Sequence, residues 1–358
     1  EFQILLLFFM VVCSRGSPII VQDNTGRPFK CQVNHTHGII PTSVHALRPE
    51  DVKVVAAIGD SLSAGMGIYS SSLLTIFLQY RGHSFTMGGA DPLSTHATMP
   101  SILKMFNEQL IGYSTGISGP DGVNAHLNVA VVGDKAEDMP MQARKLVARM
   151  KQQKNINFEK DWKVVNLFIG GNDICDYCKD PARHSPANYK KHIMEALDYL
   201  QASMPRTFVN LMEVVDASNV NELAEQGLKC KALLSTFWCK CPASRPQSES
   251  HAYVMDLQQA ARDIVADDRY DTKEDFTVVL QPFFQKTQPP RIKPGQIDMD
   301  YLAPDCFHFS AKAHAEAGVA LWNNMLQPVG SKDVEWKINQ PIACPTEEKP
   351  FLCTKKNC

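Results

Sequence analysis

Three short runs of apolar and β-branched residues each end on glycine: Val52 to Ile58 (VKVVAAI) before Gly59, Leu127 to Val132 (LNVAVV) before Gly133, and Lys163 to Ile169 (KVVNLFI) before Gly170-Gly171. Short apolar runs that do not alternate with polar residues read as strands buried on both faces. Thr207 to Val215 and Phe276 to Gln281 extend the series to five strands. Between the runs lie stretches of helical period. They are Met139 to Gln153, Tyr189 to Ala202, His251 to Val265 and Ser310 to Met325, the last with Ser310 placed to cap it. Ser71 to Tyr80 and Ser101 to Leu110 read as further helices. Strands alternating with helices predict an α/β fold with a mostly parallel five-stranded sheet covered on both faces.

In open parallel sheets, ligands gather at the carboxyl ends of the strands. The first strand is followed by Gly59-Asp60-Ser61-Leu62-Ser63. A serine in a tight turn there exposes its hydroxyl and leaves backbone N–H groups facing a substrate oxygen, although a GDS tripeptide alone is equally a surface turn. Gly133 closes the second strand, where a glycine ordinarily serves a turn and where its N–H is also a candidate oxyanion donor. The third strand leads into Gly170-Gly171-Asn172-Asp173, whose Asn172 amide is a second candidate donor or simply a polar turn. Asp305-Cys306-Phe307-His308 comes just before the last helix. A histidine base needs one ring nitrogen on the nucleophile and a carboxylate on the other. Asp305 and His308, three apart in one loop, can meet that need or form an ordinary ion pair.

Taken together, the order Ser61, Gly133, Asn172, then Asp305-x-x-His308 resembles the SGNH (GDSL) hydrolases. The resemblance implies a flavodoxin-like three-layer α/β/α fold. It assigns the nucleophile to Ser61, the base to His308 and its orienting carboxylate to Asp305. The oxyanion donors would be the Ser61 and Gly133 amides and the Asn172 side chain. VKVVAAIGDSLSAGMG (52–67), LNVAVVGDKAEDMP (127–140), EKDWKVVNLFIGGNDICDYC (159–178), FTVVLQPFFQKT (276–287), DCFHFSAKAHAE (305–316) and ALWNNMLQPVG (320–330) are similar to the animal, membrane-associated phospholipase B family. That similarity spans about residues 28 to 330. It implies hydrolysis of phospholipid and lysophospholipid acyl esters at a lipid–water interface, with no metal or organic cofactor. Short-chain or acetylated-sugar esters, and a non-catalytic lipid-binding homologue, are the competing expectations. Ile68 to Tyr80 (IYSSSLLTIFLQY), which follows the serine, would line an acyl groove or, on its helical spacing, form core.

The remaining organisation follows from composition. Ile4 to Val12 (ILLLFFMVV) is too short to span a bilayer, and with the small and polar residues behind it reads as the apolar part of a signal peptide over 1–17, truncated at its start. Residues 18–50 read as an irregular lead-in, 51–330 as the hydrolase domain and 331–358 as a cysteine-bearing tail. The large mammalian members of the resembled family carry tandem units and a membrane anchor. This chain carries one unit and no second apolar span, so secretion is expected. Of eleven cysteines one, Cys13, lies in the leader, and the even remainder predicts disulfides of open pairing. Cys175 and Cys178 form a CxxC for which structural disulfides are expected rather than redox or zinc chemistry, and Cys230 to Pro246 reads as a disulfide-tied insertion. Asn34 heads a glycosylation sequon, and His35 and His37 read as loop histidines without a metal. A formal charge of -2 gives no overall electrostatic case for nucleic acid or for an anionic membrane surface.

Overall fold

The computed structural model describes residues 25–33 and 40–358. The apolar run at 4–12, the Asn34 sequon and the His35/His37 pair lie outside the described residues. Four strands, β1 (Val52–Gly59), β2 (Trp162–Phe168), β3 (Thr207–Met212) and β4 (Phe276–Gln281), pair in the order β1-β2-β3-β4, all parallel. β2 and β3 are buried at every position, which is why their sequences lack an alternating polar face.

The crossovers carry the helices Met139–Lys151, Pro186–Ser203 and Gln247–Ala266, which pack against one another in sequence. Right-handed crossovers with strand order advancing in one direction put all three on the same face of the sheet. The helix Ala311–Met325, packed on the short helix Met99–Leu103, covers the other face and completes the three layers. Beneath that second layer runs a row of buried amides. Asn166 donates to Thr86 O at 2.8 Å, Asn210 to Asn166 Oδ1 at 2.8 Å, and Gln281 to Asn210 Oδ1 at 2.7 Å.

The expected five-stranded sheet is corrected to four. Residues 127–131 do lie parallel to β1, with Val129 N donating to Ala57 O and Val131 N to Gly59 O, but only one bridge forms and no strand develops. The buried Arg81 guanidinium takes the outward carbonyls of Asn128 and Ala130 at 3.0 and 2.7 Å. That contact caps the edge, where a further strand would otherwise pair.

The expected helix over 71–80 is absent. Ser70 Oγ donates to Thr75 O at 2.7 Å, and the segment closes on itself through Gly67 N to Leu78 O and Tyr80 N to Gly65 O. Serine side chains that bond nearby backbone compete with a helix, and here they win. The helix expected over 101–110 stops at Leu103, with turns beyond. Ser310 occupies the cap position of the last helix, but its hydroxyl donates to Asp300 O instead of capping.

Five disulfides join all ten described cysteines: Cys31–Cys344, Cys175–Cys239, Cys178–Cys241, Cys230–Cys306 and Cys353–Cys358. The CxxC cysteines thus pair outward rather than with each other. Among the described residues no helix is long and apolar enough to cross a membrane, and no cluster of His, Cys, Asp and Glu could hold a metal ion.

Candidate active site

The turn after β1 is built around two local constraints. Gly59 has φ +154°, and a Cβ there would sit 2.4 Å from Phe168 O, so no other residue fits. Asp60 then caps the four-residue helix Ser61–Ala64 by accepting the Leu62 N–H at 3.0 Å. Burial pushes the Asp60 carboxyl up to about 7. Ser61 is held at the start of this helix, nearly buried, with its hydroxyl turned to the loop that precedes the last helix.

His308 Nε2 lies 2.9 Å from Ser61 Oγ, and His308 Nδ1 lies 2.6 Å from Asp305 Oδ2. The other Asp305 oxygen accepts the backbone N–H groups of Phe307 and His308 at 3.1 and 3.0 Å. Burial pushes the Asp305 carboxyl upward, but His308 and these two N–H groups outweigh it and leave the group below its ordinary value. Between them Cys306 adopts a left-handed φ of +62° and is tied to Cys230. The Trp238 ring stands edge-on to His308 at 5.4 Å and Phe307 does the same at 5.1 Å. The three residues expected to form a catalytic set therefore lie within hydrogen-bond reach of one another in one chain of contacts.

Of the expected oxyanion donors, Asn172 is the second residue of the helix Gly171–Asp176, and its Nδ2 donates to Asp134 O at 2.8 Å. That bond joins the turn after β2 to the turn that carries Gly133. Gly133 itself is exposed, with φ +87°. Asp173 grips the same segment by accepting the Ala136 N–H at 3.1 Å.

The sequence reading missed Gln142. This residue is buried on the inner face of the helix Met139–Lys151. Its Oε1 accepts the Gly59 N–H at 2.8 Å, and its Nε2 donates to Gly59 O at 2.8 Å and to Asp134 Oδ2 at 2.7 Å. One side-chain amide thus fastens the serine turn to the Gly133–Asp134 turn. The available signal was a glutamine at a position of helical period shared with Met139, Ala143 and Leu146.

Ser61 and Asn172 open onto a cleft that is walled mainly by apolar groups, among them Val220, Leu223, Pro290, Phe307 and Trp336. The segment 68–80, expected to line a groove or form core, contributes nothing to this cleft, and among its apolar residues Leu74 and Phe77 face solvent.

Comparison with known proteins places the chain. Residues 55–321 match the family model described as GDSL-like Lipase/Acylhydrolase. The chain is 42% identical over 342 residues to "Phospholipase B1, membrane-associated" of Homo sapiens, covering 93% of this chain and 24% of that protein. The Mus musculus protein of the same description is 41% identical over 347 residues, with 94% and 24% covered. The chain thus spans about a quarter of the length of these relatives. Among solved structures, the psychrotrophic esterase EstA from Pseudoalteromonas sp. is 12% identical with a TM-score of 0.34, covering 75% of this chain and 94% of that one. The family match takes in most of β1, all of β2 to β4, the serine turn and the Asp305–His308 loop, and this chain belongs to the GDSL-like lipase/acylhydrolase family.

Proposed function

We propose that this chain hydrolyses acyl esters of phospholipids and lysophospholipids through an acyl-enzyme on Ser61. The observation that carries the reading is that a Ser61–His308–Asp305 chain of 2.9 and 2.6 Å contacts opens onto an apolar cleft. Such a cleft suits a fatty acyl chain better than a sugar acetate, because desolvated apolar walls reward apolar substrate surface.

The Ser61 oxygen attacks the acyl carbonyl carbon as His308 Nε2 takes its proton. Asp305 holds the opposite ring nitrogen and stabilises the imidazolium. The oxyanion is received by the amides of Ser61 and Gly133 and the Asn172 side chain, so that charge develops against fixed dipoles. The carbon–oxygen bond to the glycerol side breaks, and His308 returns the proton to that oxygen. Water, deprotonated by His308, then cleaves the acyl-serine and releases fatty acid.

Residues 51–330 form the hydrolase unit in this reading, with 331–358 as its tail. An oxidising, extracytoplasmic location agrees with five disulfides. The test is release of fatty acid from phosphatidylcholine and lysophosphatidylcholine, beside a short-chain ester, for the parent protein, Ser61→Ala and His308→Ala. Release from both lipids that both substitutions abolish is expected. Serine-dependent cleavage of the short ester alone refutes the lipid assignment, and unchanged activity in Ser61→Ala refutes the mechanism.

A further inference from the structure

The loop 68–80 and the π-helical turn Leu234–Trp238 meet beside His308. The Phe77 ring lies 5.8 Å from Trp238, and Trp238 lies 5.4 Å from His308. Beneath this contact, buried Ile76 packs with Met66 and Ala303, and Trp238 borders the cluster. The neighbouring side chains turn outward: Leu74 is 94% exposed, Phe77 66% and Phe237 70%. Large apolar side chains this exposed, on two segments flanking a catalytic mouth, are unfavourable in water and mark an interaction face.

Charge identifies what the face meets. Residues 68–80 contain no charged side chain. Residues 226–248, which include the π-helical turn, hold Lys229, Lys231, Lys240 and Arg245 and no acidic residue, and all four basic residues are exposed. Exposed Glu225 and Glu249 bound this stretch, which stays net positive; an apolar crest beside such a stretch matches the surface of a phospholipid aggregate, with hydrocarbon for the crest and anionic headgroups for the lysines.

The crest is also held firm. Disulfides Cys230–Cys306 and Cys175–Cys239 bracket the π-helical turn. The loop is closed by the antiparallel bridge between Met66 and Gln79.

We propose that Leu74, Phe77 and Phe237 form a docking crest that seats the mouth of the active site on a phospholipid surface. The proposal rests on the phospholipase reading for its purpose, but binding can be tested apart from turnover. The first arm uses Ser61→Ala protein and vesicles of diether phosphatidylcholine, which carry no ester to cleave, with and without phosphatidylserine. Cosedimentation is compared between Ser61→Ala alone and Ser61→Ala combined with Leu74→Ser, Phe77→Ser and Phe237→Ser. Loss of three interfacial side chains should weaken partition at least ~10-fold. Phosphatidylserine should strengthen binding, and added salt should remove that gain.

The second arm uses catalytically intact protein with the same crest substitutions. Hydrolysis of vesicular lipid should fall by a similar factor while cleavage of a soluble short-chain ester stays at the parent rate, which also shows that the fold is kept. The single variant Leu74→Glu repeats both arms with minimal risk to folding. Equal vesicle binding with and without the crest overturns the proposal. So does a parent protein that elutes as a dimer and becomes monomeric in the crest variant, since the face would then join two copies. Crest-dependent binding without lipid hydrolysis would sustain the docking face and refute only the phospholipase reading.

Discussion

Gln142→Met separates architecture from chemistry at this site. Methionine keeps the volume and unbranched shape of glutamine but removes three hydrogen bonds, two buried ones to Gly59 and a partly buried one to Asp134. Gly59 O retains the Val131 N–H, whereas the Gly59 N–H is left buried without the Gln142 oxygen. An orphaned buried donor costs roughly 1–3 kcal/mol, and a hydrogen bond to a carboxylate contributes about 1.5–3 kcal/mol. Asp134 is half-buried, so water recovers part of the second amount. A loss of about 2–4 kcal/mol in unfolding free energy follows, read by urea titration. Activity should suffer beyond that, because the same amide sets Gly59, two residues before Ser61, against the turn carrying Gly133. A displacement well below 1 Å at such a site is expected to lower kcat ~10–100-fold at temperatures where the variant is fully folded, with KM changed far less. An unfolding free energy within about 0.5 kcal/mol of the parent, together with an unchanged kcat, would refute the assignment of Gln142 as the tie between the two turns.

Three further outcomes are expected. Asn172→Ala should lower kcat about 10²–10³-fold, the scale for one oxyanion donor, with acyl-ester turnover as the measurement; its bond to Asp134 O adds a smaller loss of stability. Asp60 is raised from 3.8 to about 7 by burial, so from about pH 4 to 7 the folded state keeps a proton that the unfolded chain has lost. Stability from this group therefore falls as pH rises through that window and levels off above it, by on the order of 4 kcal/mol in total. Thermal melts of Asp60→Asn across pH 4–8 should lack that fall. Cys230→Ser with Cys306→Ser opens a cross-link spanning a sequence separation of 76 and should cost about 2–4 kcal/mol, less where the other bridges still restrain the unfolded chain. Turnover should fall further than stability alone explains, since Cys306 lies between Asp305 and His308.

Much of this protein is readable along one dimension. Parallel strands covered on both faces are predominantly apolar, so β1 to β4 stand out as runs without regular alternation. The serine turn and the Asp305–His308 loop stand out because each packs its chemistry into three or four consecutive residues. Helical period located the helices of both outer layers for the same reason: burial of one face repeats every few residues. The failures share a different cause. Residues 127–132 have strand composition, yet they form only one bridge to β1, and Arg81, distant in sequence, takes the carbonyls on their outer side. The apolar period of 71–80 suggests a helix, yet local serine bonds and the closure of 65–67 against 78–80 make a loop that shows its leucine and phenylalanine to solvent. Disulfide pairing, the Gln142 tie and the 2.9 Å contact between Ser61 and His308, 247 residues apart, depend on how whole layers stack. Local pattern located the four strands of the sheet and the long helices of both layers, because it records which faces are buried. Only the packed structure decided which of those segments meet, because contacts at such separations are set by the summed geometry of the sheet and its layers.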